Sequence, residues 1–299
     1  MLGALSGALL TGLAQGAMIA LVALGYTMVY GVLKLINFAH SEVFMMAAYG
    51  GFFFMSMLGG AEHPLIAAVF GTLAAMVAAS LLGILVERVA YRPLRQRLRG
   101  RGNQGRGGNA RVTPLVTALG VSVLLQNLAQ LLFTARYRSY PQLFAQTRIV
   151  IFVVAVCVMI GLDLLVNRTW VGKAMRALSS NVEAARLMGI RTGRVIAFTF
   201  AVGSSLAALG AVLYCLDQSQ VYPTMGVVIG TRAFVAAVLG GIGSIPGALL
   251  GGGLIGIIGE LVKLSDYSGG QDVLIFIVLI LVLLLKPAGL LGKAGIEKV

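Results

Sequence analysis

The chain has 299 residues, 59% hydrophobic and only 11% charged, where soluble domains carry about 25% charged residues. A mean hydropathy of +0.94, with uncharged runs of spanning length recurring from end to end, excludes a soluble domain and gives an all-α, polytopic membrane protein. The net charge of +13 would suggest nucleic acid if it formed one basic face, but it is confined to three short segments, which argues against a nucleic-acid partner.

Those segments are Glu87–Arg111, Arg168–Arg194 and Lys286–Val299, with net charges of +7, +5 and +2, so the rest of the chain nets −1. Lysine and arginine concentrated in loops follow the positive-inside rule and place all three in the cytosol, within reach of anionic membrane lipid. Cys157 and Cys215 lie inside apolar runs without a CxxC pattern, and His40 and His63 stand apart, so neither a disulfide framework nor a metal site is expected. The 40 glycines suit closely packed helices and helix breaks that line a cavity.

In chain order, Met1–Gly31 is a first span. It is followed by Lys34, Asn37, His40, Ser41 and Glu42, immediately before another apolar run. Polar residues at membrane depth are costly and tend to serve function, so this stretch reads either as an interfacial loop or as a broken helix lining a path or a subunit interface. Phe44–Leu58 and Pro64–Val86 are the next spans, joined by an outer turn at Gly59–His63. Residues 87–111 form a basic cytosolic loop whose core, Arg99–Asn109, is low in complexity. Val112–Thr134 is the fourth span, with Gln126, Asn127 and Gln130 as interhelical hydrogen-bonding groups or path lining.

Parity places Arg136, Arg138 and Arg148 outside, against the charge rule. They are therefore assigned to docking on acidic groups of an extracytoplasmic partner. Ile149–Val166 is the fifth span, with Asp163 near its cytosolic end. Val195–Leu216 returns outward. Val227–Lys263 is too long for one span, and parity with the basic tail demands two passes or a re-entrant pair broken at Gly240–Gly247. Val273–Leu285 is the last span. The total is about eight to ten transmembrane helices, with broken or re-entrant segments, in one transmembrane domain over residues 1–299. The side on which the N-terminus lies is left open.

Between two apolar runs, residues 168–194 form the polar island around which the chain is organised. Gly172–Leu178 reads as a short basic helix. Asn181 or Ser180 caps a second one, Val182–Met188, with Glu183 in its first turn and Gly189 at C′. Val182, Ala185 and Met188 are spaced to form a small apolar stripe. Spacing alone admits an ordinary surface helix or a docking plug.

Glu183-Ala184-Ala185-x-x-x-Gly189-Ile190 resembles the EAA-type loop of ABC importer permeases, whose coupling helices seat in their ATPase subunits. Ala23–Tyr49, Lys173–Gly210 and Thr231–Gly252 together resemble one family, the LivH-type permeases of branched-chain amino-acid ABC importers. Glu87–Arg95 and Leu119–Phe133 are similar to it as well. The basic insert after Arg95 and the segment Arg136–Ile149 depart from its pattern.

The resemblance implies a multi-pass permease of the cytoplasmic (inner) membrane of a bacterium or archaeon. Its partners would be a second homologous permease, two cytosolic ATPase subunits and an extracytoplasmic substrate-binding protein. No cofactor is expected on this chain, since ATP and magnesium would sit on the partner subunits, and the chain would not itself be an enzyme. Coupling to the ATPases falls to Glu183, Ala184, Ala185, Arg186, Met188 and Gly189. Tyr26, Asn37, Ser205 and Gly243 are the candidate lining of the translocation path. Urea or short amides as substrate, and an ATP-independent secondary transporter, are the competing readings.

Overall fold

The computed structural model describes residues 2–59, 62–100, 109–140, 147–264 and 268–292. The chain is a helical bundle. Its helices are α1 (Leu2–Leu33), α2 (His40–Met57), α3 (Pro64–Val86), a π-helical turn (Glu87–Tyr91) leading into α4 (Arg92–Gly100), α5 (Asn109–Phe133), α6 (Thr147–Arg168), α7 (Trp170–Ser180), α8 (Val182–Leu187), α9 (Thr192–Gln218), α10 (Met225–Gly240), α11 (Ile245–Lys263) and α12 (Gln271–Leu285). Six helices among the described residues are long and apolar enough to cross a membrane, and α10 and α12 are shorter apolar helices. The only sheet among them is a two-residue bridge, β1 (Arg138–Ser139) antiparallel to β2 (Gln220–Val221).

Helix α1 is unbroken over 32 residues, about 48 Å at 1.5 Å per residue, which exceeds a hydrocarbon core of about 30 Å. It is long enough to cross fully, and its first turns lie at the end of the bundle opposite Tyr91 and α7. Helix α11 runs antiparallel to it, backbone against backbone. A Cβ added to Gly12 would sit 2.9 Å from the Cα of Ile257, and one added to Gly16 would sit 2.8 Å from the carbonyl oxygen of Gly252. Water expulsion does not drive helices together in lipid, so close van der Waals packing across small residues has to. Helices α1 and α9 supply most of the buried centre, whereas α3, α5, α6 and α12 turn rows of Leu, Val and Ile outward.

The expected break in Val227–Lys263 falls between α10 and α11. Gly241 and Gly243 have φ of +103° and +99°, a region that glycine enters without steric cost. Ser244 then caps α11, its hydroxyl accepting from the Gly247 N–H at 3.2 Å, and Pro246 occupies the first turn. The segment after α12 straps this break in place, with Leu290 and Leu291 donating to the carbonyls of Leu239 (2.9 Å) and Gly240 (3.0 Å).

The region expected to be a basic loop begins differently. Residues 87–100 continue α3 as helix, because Glu87 and Tyr91 are buried and Glu87 forms an ion pair with Arg95 one helical segment later. Most of the low-complexity core, residues 101–108, lies outside the described residues.

The seam between α1 and α11 generates a prediction. Any side chain on Gly256 would run into the backbone of Gly12 and Gly16, so Gly256→Leu should destabilise the bundle by about 1–3 kcal/mol or more. Gly253→Ala, where a Cβ meets nothing within 4 Å, should be near neutral. Thermal unfolding in detergent separates the two.

Candidate functional site

The basic end of the bundle holds three features: an elbow built from α7 and α8, a cavity behind it, and a buried polar cluster where α1 turns into α2.

The elbow is defined by its caps. Thr169 caps α7, accepting from the Gly172 N–H at 3.2 Å. Gly172 lies so close to the Val166 carbonyl that a Cβ would overlap it, and Arg176 donates to the same carbonyl. Asn181, rather than Ser180, caps α8: its Oδ1 accepts from the backbone N–H of Glu183 at 2.9 Å and of Ala184 at 3.0 Å. At the other end Gly189, with φ of +80°, donates to the Arg186 carbonyl, and Ile190 donates to that of Ala185. This paired pattern is a Schellman motif, so α8 has both ends satisfied. Arg186 also reaches Thr192 at the start of α9, 3.3 Å away.

One expectation needs correction. Val182, Ala185 and Met188, spaced as one apolar stripe, do not share one setting. Ala185 is 4% exposed while Leu187 and Met188 are 89% and 82% exposed. Packing of α8 onto α7 and α9 turns its small residue inward and leaves two large apolar side chains in the open. Glu183, Ala184 and Gly189 are also exposed. Leu187 and the exposed Trp170 were missed by reading the helix through its apolar spacing. A one-and-a-half-turn helix has too few positions for that spacing to choose a face, although a lone tryptophan beside Arg168 was a usable signal of an interface.

The cavity encloses about 560 Å³ between the last turns of α1 and α6, the inner face of α7, the α10–α11 break and residues 291–292. Of the four predicted path residues it brings in Gly243 alone. Ser205 is half-buried on α9 and donates to the Val202 carbonyl. Tyr26 and Asn37 belong to the polar cluster. There the Tyr91 hydroxyl donates to Asn37 Oδ1 at 2.8 Å, with both residues buried. The Tyr26 ring meets His40 edge-on with centroids 4.8 Å apart. Glu42 is fully buried; its Oε1 accepts from Ser122 at 3.4 Å. Glu42 Oε2 and His40 Nε2 have no hydrogen-bond partner among the described residues. Lys34 starts this connection with φ of +55°, an unusual backbone for a side-chain-bearing residue that marks a held turn.

At the opposite end the three arginines assigned to docking have separate settings. Arg148 donates to Thr11 at 2.8 Å and lies 3.7 Å from Asp217. Arg138 donates to the Phe133 carbonyl and sits over the Phe52 and Phe53 rings at 5.9 and 5.8 Å. Arg136 is exposed and, among the described residues, makes no such contact. Internal partners thus account for two of the three charges that broke the positive-inside pattern. A further charge the sequence reading passed over, Arg232 in α10, pairs with Asp272 at 2.8 Å at the start of α12.

The Tyr91 contact is testable. Tyr91→Phe leaves a buried amide oxygen on Asn37 without its donor, which should cost about 1–3 kcal/mol. The readout is a lowered unfolding midpoint in detergent, with Asn37→Ala in the same background adding much less than it does alone.

One family model matches the chain. Residues 8–283 match the family model described as the permease component of branched-chain amino acid transport systems. The chain is 41% identical to the high-affinity branched-chain amino acid transport system permease protein BraD of Pseudomonas aeruginosa, over 97% of each chain. It is 38% identical to the corresponding permease protein LivH of Escherichia coli K12, over 96% of each. A probable branched-chain amino acid transport permease of Methanocaldococcus jannaschii is 26% identical over 92% of this chain and 89% of that one. No solved structure matches.

Proposed function

This chain belongs to the permease-component family of branched-chain amino acid transport systems, and from that membership we propose that it is the membrane subunit of an ATP-driven importer of leucine, isoleucine and valine. In this reading it is a multi-pass protein of the inner membrane with its basic end in the cytosol. It pairs with a second homologous permease, receives substrate from an extracytoplasmic binding protein, and is driven by two ATPase subunits that hold the nucleotide and its magnesium.

The observation that carries the reading is α8. A helix of six residues does not hold its shape alone in water. This one is capped by Asn181, closed by Gly189, and anchored through Ala185 and Arg186. Yet it presents Leu187 and Met188 to solvent. Large apolar side chains held out on a rigid, capped element suit a groove on a partner protein. A displacement of α8 passes to α7 and α9, against which it packs, and α9 in turn packs against α1 and α3. The push therefore reaches the spans as a rigid-body motion.

Partner energy can bias inward- and outward-open states only through differential contact with them. Fixed contact at α8 supplies a place for that difference to act. On the outer side, Arg136 is the arginine best placed to meet acids of a binding protein, while Arg138 and Arg148 shape the surface around it.

The test is reconstitution of the chain with its ATPase subunits and binding protein. Leucine uptake should require ATP. Replacing both Leu187 and Met188 with Asp should abolish co-purification of the ATPase and lower uptake about tenfold or more, as expected for removing central interface anchors, with the protein still inserted. Uptake in the absence of ATP would favour a secondary transporter, and competition by urea rather than valine would move the substrate to short amides.

A further inference from the structure

The cavity behind the elbow has a lining that the coupling account does not use. Asp163 lines it with Lys34 and with Arg176, one of whose guanidinium nitrogens donates to the Val166 carbonyl, and Met28, Val32 and Met175 supply a buried apolar floor. Asp163 is already oriented, with Oδ1 accepting from Asn167 at 2.8 Å. An acid, two bases and an aliphatic floor around one space of about 560 Å³ are complementary to a small molecule bearing an ammonium, a carboxylate and a hydrocarbon side chain. Binding pockets for small molecules run from about 300 to 1,000 Å³, largely apolar with few polar groups.

A second observation points the same way. Thr27 lines this cavity, is 2% exposed, and its hydroxyl has no hydrogen-bond partner among the described residues. A threonine inside a helix usually donates to the carbonyl four residues back, as Thr11 and Thr199 do here. Thr27 does not, so a buried hydroxyl is left for something that enters the space, and leaving it unmet is costly.

We propose that this cavity is a binding site for a free zwitterionic aliphatic amino acid, reached from the cytosolic side. The identity of the ligand rests on the importer reading given above, while the charge pattern is a property of the site. Asp163 takes the ammonium, Lys34 and Arg176 take the carboxylate, and Thr27 bonds to the polar end from the floor. The site is occupied when cytosolic substrate is abundant, so it senses product on the side to which substrate is delivered.

The experiment measures equilibrium binding of radiolabelled leucine to the full chain in inside-out membrane vesicles without ATP. The wild type should bind saturably. Thr27→Val and Asp163→Asn should each weaken binding about tenfold, the effect of losing one charge-assisted hydrogen bond, and Thr27→Ser should restore it. Isovalerate, which lacks the ammonium, and leucine methyl ester, which lacks the carboxylate, should fail to displace leucine. Undiminished binding in both variants, displacement by either single-charge analogue, or displacement by phosphoethanolamine as from a lipid headgroup would overturn the proposal. Wild-type uptake of leucine with no saturable binding at this face would overturn this inference alone, whereas absent leucine uptake would overturn the importer reading.

Discussion

The seam between α1 and α11 is the contact on which the remaining geometry depends. Glycines 12, 16, 252 and 256 remove the side chains that would hold these two helices apart, and carbonyls of one helix lie against Cα atoms of the other. In lipid no gain from excluding water would compensate a gap here, so small residues are the available means of cohesion. Once α11 is fixed against α1, the break that precedes it is fixed too. That break forms one wall of the cavity, and the strap of Leu290 and Leu291 closes over it.

Mechanically the molecule has a still part and a handle. The still part is the α1–α9–α11 centre, in which α1 and α9 are buried over most of their length. The handle is the α7–α8 elbow, joined to α6 by the Gly172–Val166 approach and to α9 by Arg186 and Thr192. The handle's inner face and the cavity share Met175 and Arg176. The elbow and that space therefore share a wall. The turn at Lys34 adds a second connection, since it borders the cavity and is tied through Asn37 to Tyr91 beneath α3.

Much of this was legible in the residues because the bilayer imposes simple rules. Uncharged runs located the spans, basic clusters marked one end, and the parity of crossings required the break that Gly241, Gly243 and Pro246 provide. The caps of α8 were legible as well, since Asn and Gly at its two ends have specific stereochemical uses. What escaped was information held in tertiary contact. Which way six residues of helix face is decided by α7 and α9, so Leu187 was overlooked in favour of Ala185. Helix continued past Glu87 because a buried ion pair with Arg95 and a buried Tyr91 support it, and neither burial is visible in a run of arginines. The outer arginines read as free docking charges, yet Asp217, Thr11 and two phenylalanine rings were waiting for Arg148 and Arg138 in segments far away in sequence.

The account turns on where α8 sits and what touches it. The direct measurement is labelling of a Met188→Cys variant with a membrane-impermeant maleimide, in right-side-out and inside-out vesicles, with and without the ATPase subunits. The account predicts labelling in inside-out vesicles only, and protection when the ATPase subunits are present. Labelling from the outer side, or labelling from the inner side that the ATPase subunits leave unchanged, would contradict it.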